Sequence, residues 1–153
     1  MTTPSYNKRV YLDTSVISAL FDERALERQR MTENFWKNLK GQRVFISTLV
    51  QGEVEAAPNL LKRKLLEKLK DFSVLPISAE AEELAQEYIE QGVFPDRYRS
   101  DALHVAIAVS HRIEYLVSWN FTHLVKVRTR QTVNLINALK GYAGIEIIAP
   151  PEF

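Results

Sequence analysis

Four positions carry side chains whose types and spacing could do chemistry together: Asp13, Glu53, Asp101 and Asn120. Asp13 closes the apolar run Val10-Tyr11-Leu12 and precedes Thr14-Ser15-Val16-Ile17, so its carboxylate falls where a buried strand hands over to a helix. In open α/β sheets ligands collect beyond the carboxyl ends of the strands, which suits an acid there to metal or phosphate chemistry. Asp is equally a good helix N-cap, accepting a backbone N–H from the first turn, so its company along the chain decides. Glu53 lies in Ser47-Thr48-Leu49-Val50-Gln51-Gly52-Glu53-Val54, a helical start directly after a second strand-like run. Taken alone, a Glu on a short helix is usually solvated. Asp101 opens a segment in which every residue from Ala102 to Val109 except His104 is apolar. A helix apolar on all sides is buried, and an acid in its first turn meets the positive end of the dipole, with Ser100 expected as N-cap. Asn120, after Tyr115-Leu116-Val117-Ser118-Trp119, has a turn or cap role as its plain alternative.

The elements that must position these residues follow from periodicity. Strand-like runs occur at 9–12, 43–46, 72–75, 115–117 and 146–148, separated by helical patterns at 14–21, 25–39, 49–56, 60–70, 79–91, 101–110 and 130–139. Gly41, Pro58, Gly92 with Pro95, and Gly141 each follow the end of an apolar period, as helix-terminating residues do. Strands alternating with helices predict an α/β fold. The expected architecture has three layers, α/β/α, around a central, mostly parallel five-stranded sheet. Pro150-Pro151-Glu152-Phe153 reads as a short tail that cannot continue a central strand.

Composition bounds the rest. A chain of 153 residues with 46% hydrophobic content suits one well-buried core, so residues 1–153 are expected to form a single domain. Twenty basic against nineteen acidic residues leave a net charge of +1, and nucleic-acid contact must come from local patches. With no cysteine, disulfide frameworks and thiolate zinc sites are excluded. The start Met1-Thr2-Thr3-Pro4-Ser5 lacks an apolar signal core, no run is long enough to span a membrane, and a cytoplasmic location is the expectation.

Acid after the first strand, acid on the helix after the second, acid opening a buried helix, and a polar residue after the next strand: this order resembles the PIN-domain nucleases. Within that family the chain is most similar to the VapC-like ribonuclease toxins, through Tyr11-Leu12-Asp13-Thr14-Ser15-Val16-Ile17, Ser47 with Glu53, Asp101-Ala102-Leu103-His104-Val105-Ala106, and Leu116-Val117-Ser118-Trp119-Asn120. Asp-Ala-Leu-His followed by Ser-Trp-Asn is the sharpest part. The resemblance implies a metal-dependent endoribonuclease that leaves a 5′-phosphate and a 3′-hydroxyl. It further implies a homodimer held inactive by a VapB-like antitoxin whose C-terminal segment lies across the active-site cleft. One departure stands out: many PIN domains carry an acid where this chain has Asn120, and another near His123, which weakens the site for a second cation.

Carboxylates forced together repel by about 4 kcal/mol per pair at 4 Å and an effective dielectric near 20. A hard cation offsets this, and Mg²⁺ or Mn²⁺ accepts one or two carboxylates while keeping water and phosphate oxygens as further ligands. Scattered histidines and absent cysteine argue against zinc. On this reading Asp13 and Asp101 hold the metal, Glu53 orients or deprotonates the attacking water, and Asn120 positions a ligand water or a phosphate oxygen. Thr14 or Ser15 could add a hydroxyl. Arg97, Arg99, Lys126, Arg128 and Arg130 flank the last two motifs and are the candidates for guiding an RNA backbone, with Tyr98 and Trp119 for base stacking, although such cations commonly just solvate a face. His104 is expected as a hydrogen-bonded core histidine. The helix at 25–39 is expected mainly to supply core, and could also form a groove for a partner.

Three rival readings meet the same residues. A PIN fold that binds RNA or protein without cleaving predicts a spoiled site, yet the three acids are retained. A haloacid-dehalogenase-type phosphotransferase wants a second Asp two residues after the first, where this chain has Ser15. A dinucleotide-binding enzyme wants a glycine-rich turn after the first strand, and none is present.

Overall fold

The computed structural model describes residues 7–153; the N-terminal reading at Met1 to Ser5 lies outside them. Five strands, β1 (Arg9–Leu12), β2 (Arg43–Ser47), β3 (Ser73–Leu75), β4 (Tyr115–Val117) and β5 (Glu146–Ile148), form one sheet in the order β3-β2-β1-β4-β5. Every pairing is parallel, so the sheet is wholly rather than mostly parallel. The reason lies in the connections: each pair of consecutive strands is separated by at least one helix, and a crossover of that length returns the chain in the same direction. Tyr11 lies beside Phe45 on one side and Leu116 on the other, and Leu12 beside Val117. Val10, Tyr11, Leu12, Ile46, Leu116, Val117 and Ile147 are fully buried, as strands covered on both faces must be.

Helices α1 (Thr14–Ala19), α2 (Leu26–Asn38), α3 (Thr48–Glu55) and α4 (Asn59–Leu69) fill the first two crossovers, and α5 (Ala79–Glu90), α6 (Arg99–Ser110) and α7 (Val127–Leu139) the last two. The chain steps outward from β1 to β2 and β3, then jumps back across to β4 and β5. Right-handed crossovers therefore put α1–α4 on one face and α5–α7 on the other. The order reverses between β1 and β4, and that switch point is where an open parallel sheet leaves a crevice at its strand carboxyl ends.

Two helix starts differ from the sequence reading. A 3₁₀ turn, Asp96–Tyr98, runs straight into α6, so Ser100 lies inside the helix and Tyr98 takes the N-cap position without a side-chain bond. Helix α7 begins at Val127 rather than at 130, and buried Thr129 secures the extra turn by donating its hydroxyl to the His123 carbonyl. The C-terminal residues are more than a tail. Pro150–Glu152 form a 3₁₀ turn, and the Phe153 ring packs edge-on against Phe35 at 5.5 Å and Tyr115 at 5.6 Å, tying the end of the chain to α2 and β4.

Candidate active site

Asp13 follows β1 directly, and its backbone N–H donates to the Val117 carbonyl at 3.3 Å, so the switch-point strands fix the residue. It is 5% exposed. The carboxylate caps the helix that follows it. Oδ1 accepts the Val16 N–H at 3.4 Å, capping α1, and also the Ser15 hydroxyl at 2.5 Å. Oδ2 accepts the Ser118 hydroxyl at 2.6 Å. A carboxylate has about four lone-pair sites; these bonds fill both of Oδ1 and one of Oδ2, leaving one on Oδ2 for a ligand. Burial pushes the Asp13 carboxyl above the usual range, and His104, Ser118, Ser15 and the Val16 amide pull back against it.

Ser118 links Asp13 to the remainder of the site. Its Oγ donates to Asp13 and accepts the Asn120 N–H at 2.9 Å, while the Asn120 side-chain oxygen accepts the His123 N–H at 2.9 Å. With that oxygen turned to the backbone, the Asn120 amide presents its NH₂ to Asp101 Oδ1 at 3.4 Å. An N–H donor cannot ligate a cation but can meet a carboxylate or a phosphate oxygen. Asp101, in the first turn of α6, is half-buried. Burial raises its pKa, the Asp13 and Glu53 charges add to that, and His123 and His104 oppose it. Asp101 thus feels the charges of both other acids.

Glu53 is oriented by a bond not foreseen from the sequence: its Oε1 lies 2.6 Å from His104 Nε2. His104 lies one helical turn after Asp101, so α6 presents both on one face. Its other ring nitrogen, Nδ1, is 2.7 Å from the Tyr11 hydroxyl, which lies 2.8 Å from Ser47 Oγ. Ser47 in turn caps α3, accepting the Val50 N–H. Tyr11 is two residues before Asp13 and shares its side of β1. Signals for this network were present as Tyr11 at i−2 from one acid and His104 at i+3 from another; an apolar-looking stripe around His104 masked them.

Among the described residues, no three of His, Cys, Asp and Glu gather closely enough to hold an ion by themselves. Glu53 leans on His104, which leaves Asp13 Oδ2, bonded to Ser118, and the Asp101 carboxylate, bonded to Asn120, as oxygen donors with lone pairs to spare. Two carboxylates with waters completing the shell fit a hard divalent cation, and the absence of sulfur donors fits nothing softer. Two of the larger cavities, about 640 and 680 Å³, open elsewhere, at the starts of β2 and β3 and before β4. The strand-end chemistry, not cavity size, marks the site.

The basic residues expected to guide RNA are divided. Arg97 lies over the Tyr98 ring at 5.0 Å, and Tyr98 stacks on His123 with ring centroids 3.9 Å apart. Arg99 donates to the Gln86 side chain at 2.7 Å. Lys126 and Arg128 line a polar cleft of about 200 Å³ with Gln91, Gly92 and Thr132. Arg130 pairs with Glu152 at 3.7 Å. Trp119 is not an open stacking platform: it is 9% exposed, and its indole N–H donates to Thr32. Thr14 points no bond into the site, its Oγ being buried without a partner, whereas Ser15 supports Asp13.

The chain belongs to the PIN domain family, whose sequence pattern matches residues 10–120 and so takes in all four site positions. Among curated proteins none matches it by sequence alone. Its fold is that of solved VapC-type toxins. VapBC2 from Rickettsia felis, bound to a DNA fragment from its promoter, aligns over 92% of this chain and 97% of that one at 17% identity, TM-score 0.56. A toxin-antitoxin complex from Klebsiella pneumoniae aligns over 78% and 93% at 21% identity, TM-score 0.59. VapC20 of Mycobacterium tuberculosis, described as a toxin that cleaves the sarcin-ricin loop, aligns over 90% and 98% at 17% identity, TM-score 0.59.

Proposed function

We propose that this protein is a Mg²⁺- or Mn²⁺-dependent endoribonuclease and the toxin half of a VapBC-type pair. The observation that carries the reading is Asp13 at the switch point, bonded through Ser118 and Asn120 to Asp101, with one Asp13 lone pair left open. Asp13 and Asp101 are the residues that would hold the cation, directly or through water. When bound, such an ion supplies a lowered water pKa and charge withdrawal from the phosphate.

The chain's own residues supply the rest. Glu53, steadied by His104, accepts a proton from the attacking water. Oxygen of that water bonds to phosphorus, the P–O3′ bond breaks, the leaving 3′-oxygen takes a proton from solvent water, and the products are a 5′-phosphate and a 3′-hydroxyl. The Asn120 NH₂ donates to a phosphate oxygen, a task an acid at that position could not perform. Lys126 and Arg128, with Arg97, Tyr98 and His123, flank the crevice as guides for backbone and base.

A groove of about 410 Å³ supports a protein partner: Leu26, Arg28 and Met31 of α2 line it with Trp119, the residue before Asn120. Leu26 is 59% exposed there. A VapB-like antitoxin segment seated in it would reach the site, and a homodimer is the expected assembly. No helix among the described residues is long and apolar enough to cross a membrane, and the proposed place of action is the cytoplasm.

The test is incubation of purified, partner-free protein with cellular RNA in Mg²⁺, Mn²⁺ or EDTA, followed by mapping of new ends. Discrete cuts bearing 5′-phosphates, abolished by EDTA, are expected. RNA that binds but stays intact in every metal would instead make the chain a binding module.

A further inference from the structure

His104 is nearly fully buried, yet its ring is bonded at both nitrogens, to Tyr11 at 2.7 Å and to Glu53 at 2.6 Å. We infer that His104 is a positioning residue: locked by Tyr11 in the Nε2–H tautomer, it donates to Glu53 Oε1 and holds that carboxylate toward the crevice. The inference rests on the nuclease reading for its consequence in catalysis, but not for its geometry.

Proton accounting fixes the direction. A phenol keeps its proton at neutral pH, so the Tyr11 hydroxyl, 2.7 Å from His104 Nδ1, has one to give. Ser47 Oγ already accepts the Val50 N–H and is best used as a donor to Tyr11 Oη. Tyr11 then donates to His104 Nδ1, which must be unprotonated, and the ring proton sits on Nε2, facing Glu53. Ser47, Tyr11 and His104 thereby each accept one bond and donate one, and the Glu53 carboxylate accepts the last, as a buried network requires. Glu53 needs this support. Its side chain is 38% exposed on an eight-residue helix, and His104 is its hydrogen-bond partner among the described residues. Unheld, a glutamate there would sample several rotamers. The same arrangement, an imidazole oriented by one partner so as to orient another, recurs around catalytic carboxylates and metals, and its loss commonly reduces activity about 10- to 100-fold. It also makes two of the site's acids interdependent: α6 carries Asp101 directly and holds Glu53 through His104.

Two measurements test it. Long-range ¹H–¹⁵N spectra of ¹⁵N-histidine-labelled protein should show His104 as a single Nε2–H tautomer, and as a mixture in Tyr11→Phe; an Nδ1–H ring, or no change in Tyr11→Phe, overturns the assignment. Cleavage kinetics then give the functional half. His104→Ala should lower kcat about 10- to 100-fold with KM within about twofold, and should cost nothing further in a Glu53→Gln background. His104→Gln, whose amide N–H can reach Glu53 from near the Nε2 position, should recover most of the rate, and thermal unfolding of each variant separates folding losses from rate losses. Losses that multiply when His104→Ala and Glu53→Gln are combined would make His104 merely structural. Should wild-type protein cleave nothing while its spectrum shows the pinned tautomer, the nuclease reading fails and the geometry stands.

Discussion

Replacing Asp13 by Asn should make the metal-free protein more stable while removing its response to metal. Burying a carboxylate carries an effective penalty of several kcal/mol. Hydrogen bonds to a charged acceptor return about 1.5–3 kcal/mol each, and Asp13 receives two good ones, from Ser15 and Ser118, and a long third from Val16. Burial nevertheless wins, since the carboxyl is held above its ordinary value of 3.8. Asn keeps the shape: its oxygen still accepts from Ser15 and Val16, and its NH₂ can donate to Ser118. A net gain of about 1 kcal/mol follows, which is about 2–4 °C in Tm for a chain of this size. The sign carries a pH signature. A folded-state carboxyl with a raised pKa loses stability as pH climbs from its unfolded value through the folded one; Asp101 acts in the same direction. Wild-type apo-protein should therefore lose stability as pH rises from about 4 toward neutrality, and Asp13→Asn should flatten that slope. Mg²⁺ at ten times its Kd stabilises by RT ln 11, about 1.4 kcal/mol or about 3–6 °C, in the wild type only. Scanning calorimetry from pH 4 to 8, with Mg²⁺ and with EDTA, reads all of these. A variant less stable than wild type at pH 7.5 in EDTA, or one that Mg²⁺ still stabilises, would refute the reasoning.

Further outcomes follow from the same geometry. Asn120→Asp replaces an N–H donor beside Asp101 with a fourth carboxylate, and calorimetric titration should show tighter Mn²⁺ binding and lower apo stability; unchanged affinity would remove Asn120 from the site. Lys126→Ala with Arg128→Ala should weaken single-stranded RNA binding and flatten its log–log salt dependence by about 1.4, the value for two lost phosphate contacts; an unaltered slope would mean the cleft does not touch RNA. Phe153→Ala, which leaves Phe35 and Tyr115 without their edge-on partner, should cost about 2–3 kcal/mol in urea unfolding, below the full core range because Phe153 is part-exposed, with no change in metal binding.

Strand order depends on long-range pairing. The strand positions and the acid that ends the first strand, by contrast, were legible because both rest on short-range signals: apolar runs of strand length, and an acid at the end of the first. Asp13, Glu53, Asp101 and Asn120 could be named in advance for that reason. Their roles relative to one another could not. Which oxygen of Asp13 stays open depends on Ser15 and Ser118, the latter 105 residues away in sequence. His104 read as core because seven of the eight residues from Ala102 to Val109 are apolar, and its two partners sit on β1 and α3. Trp119 looked like a stacking surface until α2 supplied Thr32 to its indole. The basic residues at 126, 128 and 130 alternate in sequence, yet the early start of α7 spreads them by helical rotation, sending Arg130 to Glu152.

Asp13 and Asp101 are proposed to act together in metal-dependent phosphodiester cleavage. The most direct test is single-turnover cleavage of end-labelled RNA over a Mg²⁺ titration, comparing wild type with Asp13→Ala and Asp101→Ala. The account predicts a rate that saturates with Mg²⁺ in the wild type and falls by about a hundredfold or more in each variant, the scale of several kcal/mol of metal-borne transition-state stabilisation. Either variant cleaving at near the wild-type rate, or wild-type cleavage indifferent to Mg²⁺, would contradict it.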